Sequence, residues 1–542
     1  MKKFYQFRDE QRKELEQHDF YSLISSDCIA LKDKLLFAPV MAHFIMNFRD
    51  MNKWVIRFDN NDNEYKSVIN GGTIEDETHS RLFLEDWRKL YIDDKLNWKA
   101  SDVIYWLFIS REMECFRKFG IDFMRLCVDD GGDPILRYSH SESGETCGNI
   151  FFSRISPIAD QVANHLGISL RYFGTFHLNL ENGHVWKSEG VFENIELSPD
   201  SYKKMATLSK RMFDIFEGIH DSFYNYLSSY VLNGSHPSFF ESLPVGKNVA
   251  PIYPEFVIEN KSHNDGRHIE HINNYLEKIS SHEFFKWLVN TSIDPQLKLK
   301  SFIPLWIVDI MGYRDINKYV FTYEQPESES EKIINDYALH LSEHSRLFYH
   351  DWKSLQLDDM LRWSASDTLE FIFLNSDMDM HRENIVSRLF YHDWKSLQLD
   401  DMLRWSASDT LEFIFLNSDM DMHRENIVKF SLFGLKHRDP VIRFWFMMIL
   451  ELSGKEFFSH VGDIALQVES KYNIYLPYLC GRHATENEHE AYNNMYEHFM
   501  VKELSPEQSD LIIQITDMVM RSLLNNLDIS YRYVVNNLLA AR

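Results

Sequence analysis

The amino-acid sequence predicts an all-α protein built from two tandem helical bundles. Apolar residues recur every three or four positions, Gly and Pro number only 20 and 14 among 542 residues, and segments of the first half recur in the second. The aromatic content of 14% favours helices that pack through bulky side chains. Such periodicity is typical of amphipathic helices, and alternating strand patterns are absent from the sequence.

The helical pattern is clearest near the end of each half. Apolar residues follow helical spacing at Met205, Leu208, Met212, Phe213, Phe216 and Ile219, and again at Ile513, Ile515, Val519, Leu523 and Leu524. We expect six to eight helices in each bundle.

An exact repeat lies in the second half. Residues 345–386 recur unchanged as residues 387–428, a tandem copy of 42 residues, and a diverged relative occupies residues 79–108. His79 to Glu145 spans 66 residues; His344 to Glu451 spans 107, or 65 without one copy. We predict that the surplus copy, a recent in-frame duplication or an assembly artefact without function, projects as an extra helical hairpin or is accommodated by a shifted junction.

Three further pairs of segments indicate an older duplication of the whole domain. LLFAPVMAHFIMNFRDMNKWV matches KSFIPLWIVDIMGYRDINKYV, GETCGNIFFS matches LELSGKEFFS, and IELSP matches KELSP. The tract NGSHPSFFESLPVGKNVAPIYPEF is rich in Gly, Pro and Ser and is typical of a linker. We therefore predict a first domain at residues 1–235, a linker at 236–259 and a second, diverged domain at 260–542.

Charge and cysteine content limit the partners and the compartment. The formal net charge is -25 and there is no Lys/Arg-rich run, which argues against nucleic acid and anionic membranes as partners. No apolar run reaches about 18 residues, so no membrane span is predicted. Five scattered cysteines indicate reduced thiols and a cytoplasmic protein. We expect a small-molecule substrate, and a homodimer is compatible with the sequence.

A candidate metal motif lies in the stretch GTFHLNLENGH. His177, Glu181 and His184 form the pattern H-x3-E-x2-H, which on a helix projects two imidazoles and one carboxylate from one face. Glu145 precedes His177 by 32 residues, and Glu451 precedes His483 by 32 in the second half. This repeated spacing predicts that the Glu and the His are partners across two helices.

A further histidine heads the HSRLF segment in both halves. His79 and His344 are each followed seven residues later by an aspartate on the same helical face, Asp86 and Asp351, and Glu75 lies one turn before His79. Histidine and carboxylate ligands from facing helices suit non-haem iron or manganese, whereas structural zinc more often recruits cysteines.

The second half is less regular at the corresponding motif. After His483, Glu486 and His489 stand at i+3 and i+6, where the first half has i+4 and i+7. Position i+6 lies about 100° from i+7 around a helix, so the three groups do not share one face. Either a one-residue bulge restores the site, or Glu490 at i+7 substitutes with Asn487 at i+4, or metal binding is lost, and these alternatives remain open.

The motifs resemble the haem-oxygenase-like superfamily, and within it the iron-containing haem-oxygenase-like di-iron oxidases. The matching segments are ETHSRLFLEDWRKL, the Glu-x2-Gly-x2-Phe-Phe segment at Glu145 and YFGTFHLNLENGH, and taken in order across both halves the resemblance extends over most of the chain. The resemblance implies that Glu145, His177, Glu181 and His184 bind iron, with His79 and a nearby acid completing the site, and that dioxygen is a co-substrate. That family usually has a Glu seven residues before the first His, where this chain has Gly72 and Tyr337. Whether one or two irons bind therefore stays open.

Three functional hypotheses follow from the sequence. The first is a non-haem iron oxygenase or oxidase that activates dioxygen on a small organic substrate. The second is a non-catalytic binding or scaffold protein that has kept the fold. The third is a cofactor-free enzyme resembling thiaminases or quinone synthases, for which Cys147 is the candidate thiol, with a buried packing role as its alternative.

Overall fold

The protein is all-α, as the sequence predicts. The computed structural model describes residues 1–234, 237, 239, 266–359, 362–363, 403–481 and 486–540, and within these it describes the backbone alone at 181–189, 362–363, 403–404, 486–488 and 536–540. The one strand pairing of this part is a two-residue antiparallel ladder between β1 (Arg362–Trp363) and β2 (Leu403–Arg404). None of the described helices has both the length and the apolar character needed to cross a membrane.

The N-terminal half, residues 1–234, contains eleven α-helices. They are α1 (Lys2–Leu15), α2 (Asp19–Ser25), α3 (Ala38–Met51), α4 (Glu64–Asp76), α5 (His79–Lys89), α6 (Ile92–Leu96), α7 (Ala100–Phe108), α8 (Glu114–Asp129), α9 (Pro134–Leu166), α10 (Thr175–Phe192) and α11 (Pro199–Tyr226). The prediction of six to eight helices was too low, because left-handed residues at Tyr91 (φ 54°) and Asn97 (φ 51°) divide one segment into α5, α6 and α7.

The described C-terminal half begins at Gly266. Its helices are α12 (Arg267–Ser280), α13 (Glu283–Leu288), α14 (Pro295–Phe302), α15 (Ile307–Asp315), α16 (Glu329–Leu341), α17 (His344–Ser354), α18 (Ala407–Leu416), α19 (Asp421–Lys436), α20 (Pro440–Tyr472), α21 (Glu486–Met500) and α22 (Pro506–Ala540). Short π-helical segments at Asn52–Ile56 and Ile316–Phe321 follow α3 and α15. The predicted helices near residues 205–219 and 513–524 are confirmed as parts of α11 and α22.

One long helix starts in the same way in each half. Helices α9 and α20 are 33 residues long, and each begins with an Asp-Pro pair. The carboxylates of Asp133 and Asp439 accept hydrogen bonds from backbone N–H groups of the first turn, and the proline occupies the first helical position, where no N–H is needed. This start fixes the register of the two helices that carry Glu145 and Glu451.

The two halves pack against each other through reciprocal contacts. Ser101 of the first half donates its backbone N–H and hydroxyl to Asp358 of the second, while Ser408 makes the same two hydrogen bonds to Asp93. A second reciprocal set consists of ion pairs between Asp50 and Arg424 (2.8 Å) and between Arg117 and Asp315 (3.4 Å). Each surface therefore contacts its counterpart, as in a two-fold symmetric dimer.

The described residues of the exact repeat come from both copies. Helix α17 belongs to the first copy and α18 to the second, and the β1–β2 ladder joins the two. The middle of the repeat, residues 364–402, lies outside the described residues, so the predicted extra hairpin stays a prediction. The predicted linker also lies outside them, apart from Pro237 and Phe239.

Candidate metal centre

Helix α10 carries the H-x3-E-x2-H motif, and its first turn is tied to α9. The carboxylate of Asp160 accepts hydrogen bonds from the backbone N–H and the hydroxyl of Thr175. Gly174 sits where this connection is tightest, because a Cβ there would collide with the carbonyl oxygen of Leu170 and approach Asp160 to 2.9 Å. The motif therefore lies on a helix, as predicted, with a fixed first turn.

His177 and His79 face each other in the core of the N-terminal half. Their Nε2 atoms are 3.1 Å apart, and the residues are 0% and 7% exposed. Two nitrogens that bind one metal ion at about 2.1 Å each and about 90° to one another lie about 3.0 Å apart. The pair therefore has a separation that suits two ligands of one ion, and two of the predicted candidate ligands lie in contact.

The outer nitrogen of His177 fixes the tautomer of the ring. Its Nδ1 lies 3.0 Å from the carbonyl oxygen of Tyr172, which only accepts, so Nδ1–H is the donor. With both rings neutral, the Nε2–H of His79 donates to the Nε2 lone pair of His177. Metal-binding histidines are commonly oriented by such a carbonyl contact, which leaves the inner nitrogen free to bind a cation.

Asp86 positions the loop that provides this carbonyl. Its buried carboxylate accepts three backbone N–H groups, from Arg171 (2.9 Å), Tyr172 (2.8 Å) and Phe173 (3.0 Å). Burial raises the pKa of Asp86, although the three N–H groups oppose the shift. Because Asp86 is two turns beyond His79 on α5, one helix carries both a candidate ligand and the anchor for the other.

The acid beside His79 is Asp76, which sequence reasoning missed. Helix α4 ends at Asp76 and α5 begins at His79, so the chain turns between them and Glu75 is not one turn earlier on a continuous helix. Asp76 is buried, with Oδ1 3.7 Å from Nε2 of His79, whereas Glu75 is exposed but still lines the same cavity. Its position at i-3 relative to His79 is the sequence signal that could have identified it.

The remaining acids of this region come from α9. Glu145 is half-buried and lines the cavity next to the histidines. Glu142, one turn earlier, is buried and accepts a 2.6 Å hydrogen bond from Arg8, which neutralises it. Glu145 is therefore the better candidate ligand. Glu181 and His184 lie on α10, but their side chains are outside the described residues.

A cavity of about 340 Å³ opens beside the two histidines. Its lining is mostly apolar, with rings from Phe44, Phe48, Phe119, Phe123, Phe151, Phe152 and Phe216. The ring of Phe152 lies 4.0 Å from that of His177. Cavities of this size and polarity are typical of small-molecule sites. Asp76, His79, Glu145 and His177 fit a metal ion in donor type, and the cavity gives a substrate access to them.

The C-terminal half brings fewer of its predicted ligands together. His344 and Glu451 line a separate cavity of about 130 Å³, while His489 is half-buried on α21 and is not among its lining residues. His483 and the side chain of Glu486 lie outside the described residues. Two predicted ligands thus share one cavity here.

The two halves differ at two positions near these histidines. Counting back from His79 and His344, Gly72 corresponds to Tyr337 and Asp76 to Leu341. Tyr337 is 3% exposed and packs on Tyr492, with ring centroids 5.7 Å apart. A phenol ring therefore occupies this position in the second half, where the first half has a glycine, and an apolar side chain stands in place of the buried acid.

A different cluster also has metal-binding side chains. Cys127, Asp130 and His140 are buried, and each offers one atom within 4.8 Å of the others. However, Asp130 accepts hydrogen bonds from Arg137 (2.8 and 3.1 Å), and a guanidinium at this distance repels a cation. Burial raises the pKa of the Cys127 thiol to about 12. The cluster is a structural ion-pair network.

Comparison with protein-family models and with curated proteins finds no match to this chain.

Proposed function

We propose that the N-terminal half is a non-haem iron enzyme that activates dioxygen to oxidise a small organic substrate. The observation that carries the proposal is the 3.1 Å separation of the Nε2 atoms of His79 and His177, beside a cavity that is lined by His79 and by the acids Asp76 and Glu145. His79, His177, Glu145 and Asp76 would hold the ion, with Glu181 and His184 further along α10 and Glu75 at the rim. One or two irons are compatible with this set. Bound ferrous iron would supply electrons to dioxygen.

The residues of the chain prepare the site in two ways. The Nδ1–H of His177 stays on the carbonyl of Tyr172, so its Nε2 lone pair points to the centre. A cation held by both rings would also need the Nε2 lone pair of His79, so the hydrogen on that nitrogen would have to move to Nδ1 of the same ring. The phenylalanine walls exclude water and favour a substrate with an apolar body.

The third hypothesis from the sequence, thiol catalysis, has less support. Cys147 is fully buried, burial raises the pKa of its thiol well above the usual value, and it does not line the cavity. A buried thiol with a raised pKa is a poor nucleophile. The scaffold hypothesis suits the C-terminal half, because Tyr337 and Leu341 replace Gly72 and Asp76. We also propose that the two halves are duplicated domains and that the protein is cytoplasmic.

Iron loading tests this function directly. Protein reconstituted anaerobically with ferrous iron should retain at least one iron per chain, measured by elemental analysis after desalting. His177→Ala and His79→Gln should reduce retention at least about tenfold, because each removes a ligand from a cation held by few others. His140→Gln, in the buried Asp130 network, is the matched control and should retain iron.

Two results would contradict the proposal. One is wild-type protein that folds but retains no iron, and the other is equal iron in His177→Ala and wild type.

Iron-loaded wild-type protein should consume dioxygen faster when a substrate with an apolar body is added.

A further inference from the structure

The cavity of the C-terminal half contains a buried polar cluster formed by Asp309, His423 and Asn526. Asp309 lies on α15, His423 on α19 and Asn526 on α22, and the three residues are 2%, 0% and 3% exposed. The Nδ1 of His423 and the Nδ2 of Asn526 both hydrogen-bond Oδ2 of Asp309, the latter at 3.1 Å. Three helices thus converge on one carboxylate oxygen.

The N-terminal half has apolar residues at the corresponding positions. Asp309 is five residues before Arg314, as Phe44 is before Arg49. His423 directly precedes Arg424, as Phe116 precedes Arg117, and Asn526 follows Pro506 by 20 residues, as Ile219 follows Pro199. A framework that packs with two phenylalanines and an isoleucine does not need this polar cluster for folding, which points to a role in binding.

Besides Nε2 of His423, two oxygen acceptors of the cluster have no hydrogen-bond partner within the described part of the chain. They are Oδ1 of Asp309 and Oδ1 of Asn526, and both residues line the cavity. The orientation of the Asn526 amide is fixed, because its nitrogen already donates to Asp309. A buried acceptor without a donor costs about 1–3 kcal/mol, and more when it is charged. The cavity therefore favours a ligand that donates hydrogen bonds.

We propose that this cavity binds the ammonium group of a small primary amine, held by Asp309 and Asn526. A primary ammonium carries three N–H donors and a positive charge, so it can reach both oxygens and compensate the buried carboxylate. The other ionisable lining groups are Tyr313, Arg314, His344, Glu451, Lys455 and Tyr478. Two of these groups, Arg314 and Lys455, are cationic, and Arg314 forms an ion pair with Asp315 at 3.1 Å.

The volume restricts the ligand to a few heavy atoms. A cavity of about 130 Å³ is close to the roughly 150 Å³ that holds one benzene molecule in a protein core. Trp306, Ile310, Phe457 and Leu523 provide an apolar wall for a short carbon chain. A ligand of three heavy atoms binds on the order of millimolar at best. This site needs no metal and does not depend on iron in the N-terminal half.

Calorimetric titration with ethylammonium, ethanol and acetate at neutral pH tests the proposal. Ethylammonium should bind saturably, whereas ethanol, which has the same size without the charge, and acetate should not. Asp309→Asn should weaken ethylammonium binding at least about tenfold, and His79→Gln should bind it like wild type while losing iron. Iron retention in Asp309→Asn should match wild type, which separates this proposal from the iron centre.

A second variant keeps the proposal testable if Asp309→Asn does not fold. Asn526→Leu removes the other acceptor oxygen without removing a charge and should weaken ethylammonium binding about fivefold. Equal binding of ethylammonium and ethanol, unchanged affinity in the folded variants, or a crystal structure from ethylammonium-soaked crystals with only water on Asp309 would each overturn the proposal.

Discussion

The two cavities of this chain sit in matching frameworks but have different linings. The N-terminal cavity is about 340 Å³ and mostly apolar, and His79, which lines it, contacts His177. The C-terminal cavity is about 130 Å³ and is lined by the carboxylate of Asp309. Gly72 lines the first cavity, whereas its counterpart Tyr337 is buried against Tyr492. Two bundles with similar framework contacts can therefore hold cavities of different size and chemistry through changes at a few positions.

The framework itself shows the same contacts twice. The indole of Trp87 donates to Asp93 at 2.8 Å, and that of Trp352 donates to Asp358 at 3.0 Å. Asp86 accepts three backbone N–H groups at the loop before α10, while Asp351 accepts the N–H of Leu479 at 2.8 Å. In each half, one aspartate carboxylate holds the loop beside the site through backbone hydrogen bonds. Asp86 and Asp351 can therefore be compared directly.

Installing the tyrosine of the second cavity in the first should have the largest effect. A Cβ at Gly72 would meet no atom within 4 Å, so Gly72→Tyr should fold, with its ring filling the cavity. Dioxygen consumption by the iron-loaded variant should fall at least about 100-fold, because the substrate loses its position. Crystals under xenon pressure should show the gas in the wild-type cavity and none in the variant.

The reverse variant provides the control for this comparison. Tyr337→Gly should enlarge the C-terminal cavity and cost about 3–5 kcal/mol of unfolding free energy, as loss of a buried ring does. Unchanged dioxygen consumption in Gly72→Tyr would show that the N-terminal cavity is not the substrate site.

Removing the charge of the two loop anchors should have unequal effects. Asp86→Asn places an amide N–H₂ against backbone N–H groups that need acceptors, and should cost about 2–4 kcal/mol. Asp351→Asn should cost less than about 1.5 kcal/mol, because the amide oxygen can still accept from Leu479. Urea unfolding followed by circular dichroism measures both, and equal losses would contradict the difference between the anchors.

The pH dependence of the unfolding free energy should test the role of Asp351 further. Burial raises the pKa of Asp351 to about 7, above its value of about 3.9 in the unfolded chain. The folded state therefore holds the extra proton between these values, and its contribution to stability falls as pH rises from about 4 to 7. Asp351→Asn should flatten the unfolding free energy across this range by at least about 1 kcal/mol relative to wild type. Parallel curves for the two proteins would refute the assignment.

The sequence predicted the fold class because helical periodicity is local and strong, as in α11 and α22. It named His79 and His177 among the candidate ligands of one site, and the structure places their Nε2 atoms 3.1 Å apart; the partnership of Glu145 with His177, predicted from the repeated spacing, stays a prediction. Asp76 was missed because the break between α4 and α5 depends on packing, not on a proline or glycine signal. The polar cluster at Asp309 was also missed, because its members are far apart in sequence.

The exact repeat offers the comparison with the smallest expected effect. Among the described residues, α17 comes from the first copy and α18 from the second, and both contact the N-terminal half. Deleting residues 361–402 joins identical sequence and restores one copy of 42 residues. We expect the unfolding free energy to change by less than about 1 kcal/mol, since loop-closure entropy grows only slowly with added chain length. Calorimetry of both chains measures this, and loss of folding in the shortened chain would show that both copies are needed by the second bundle.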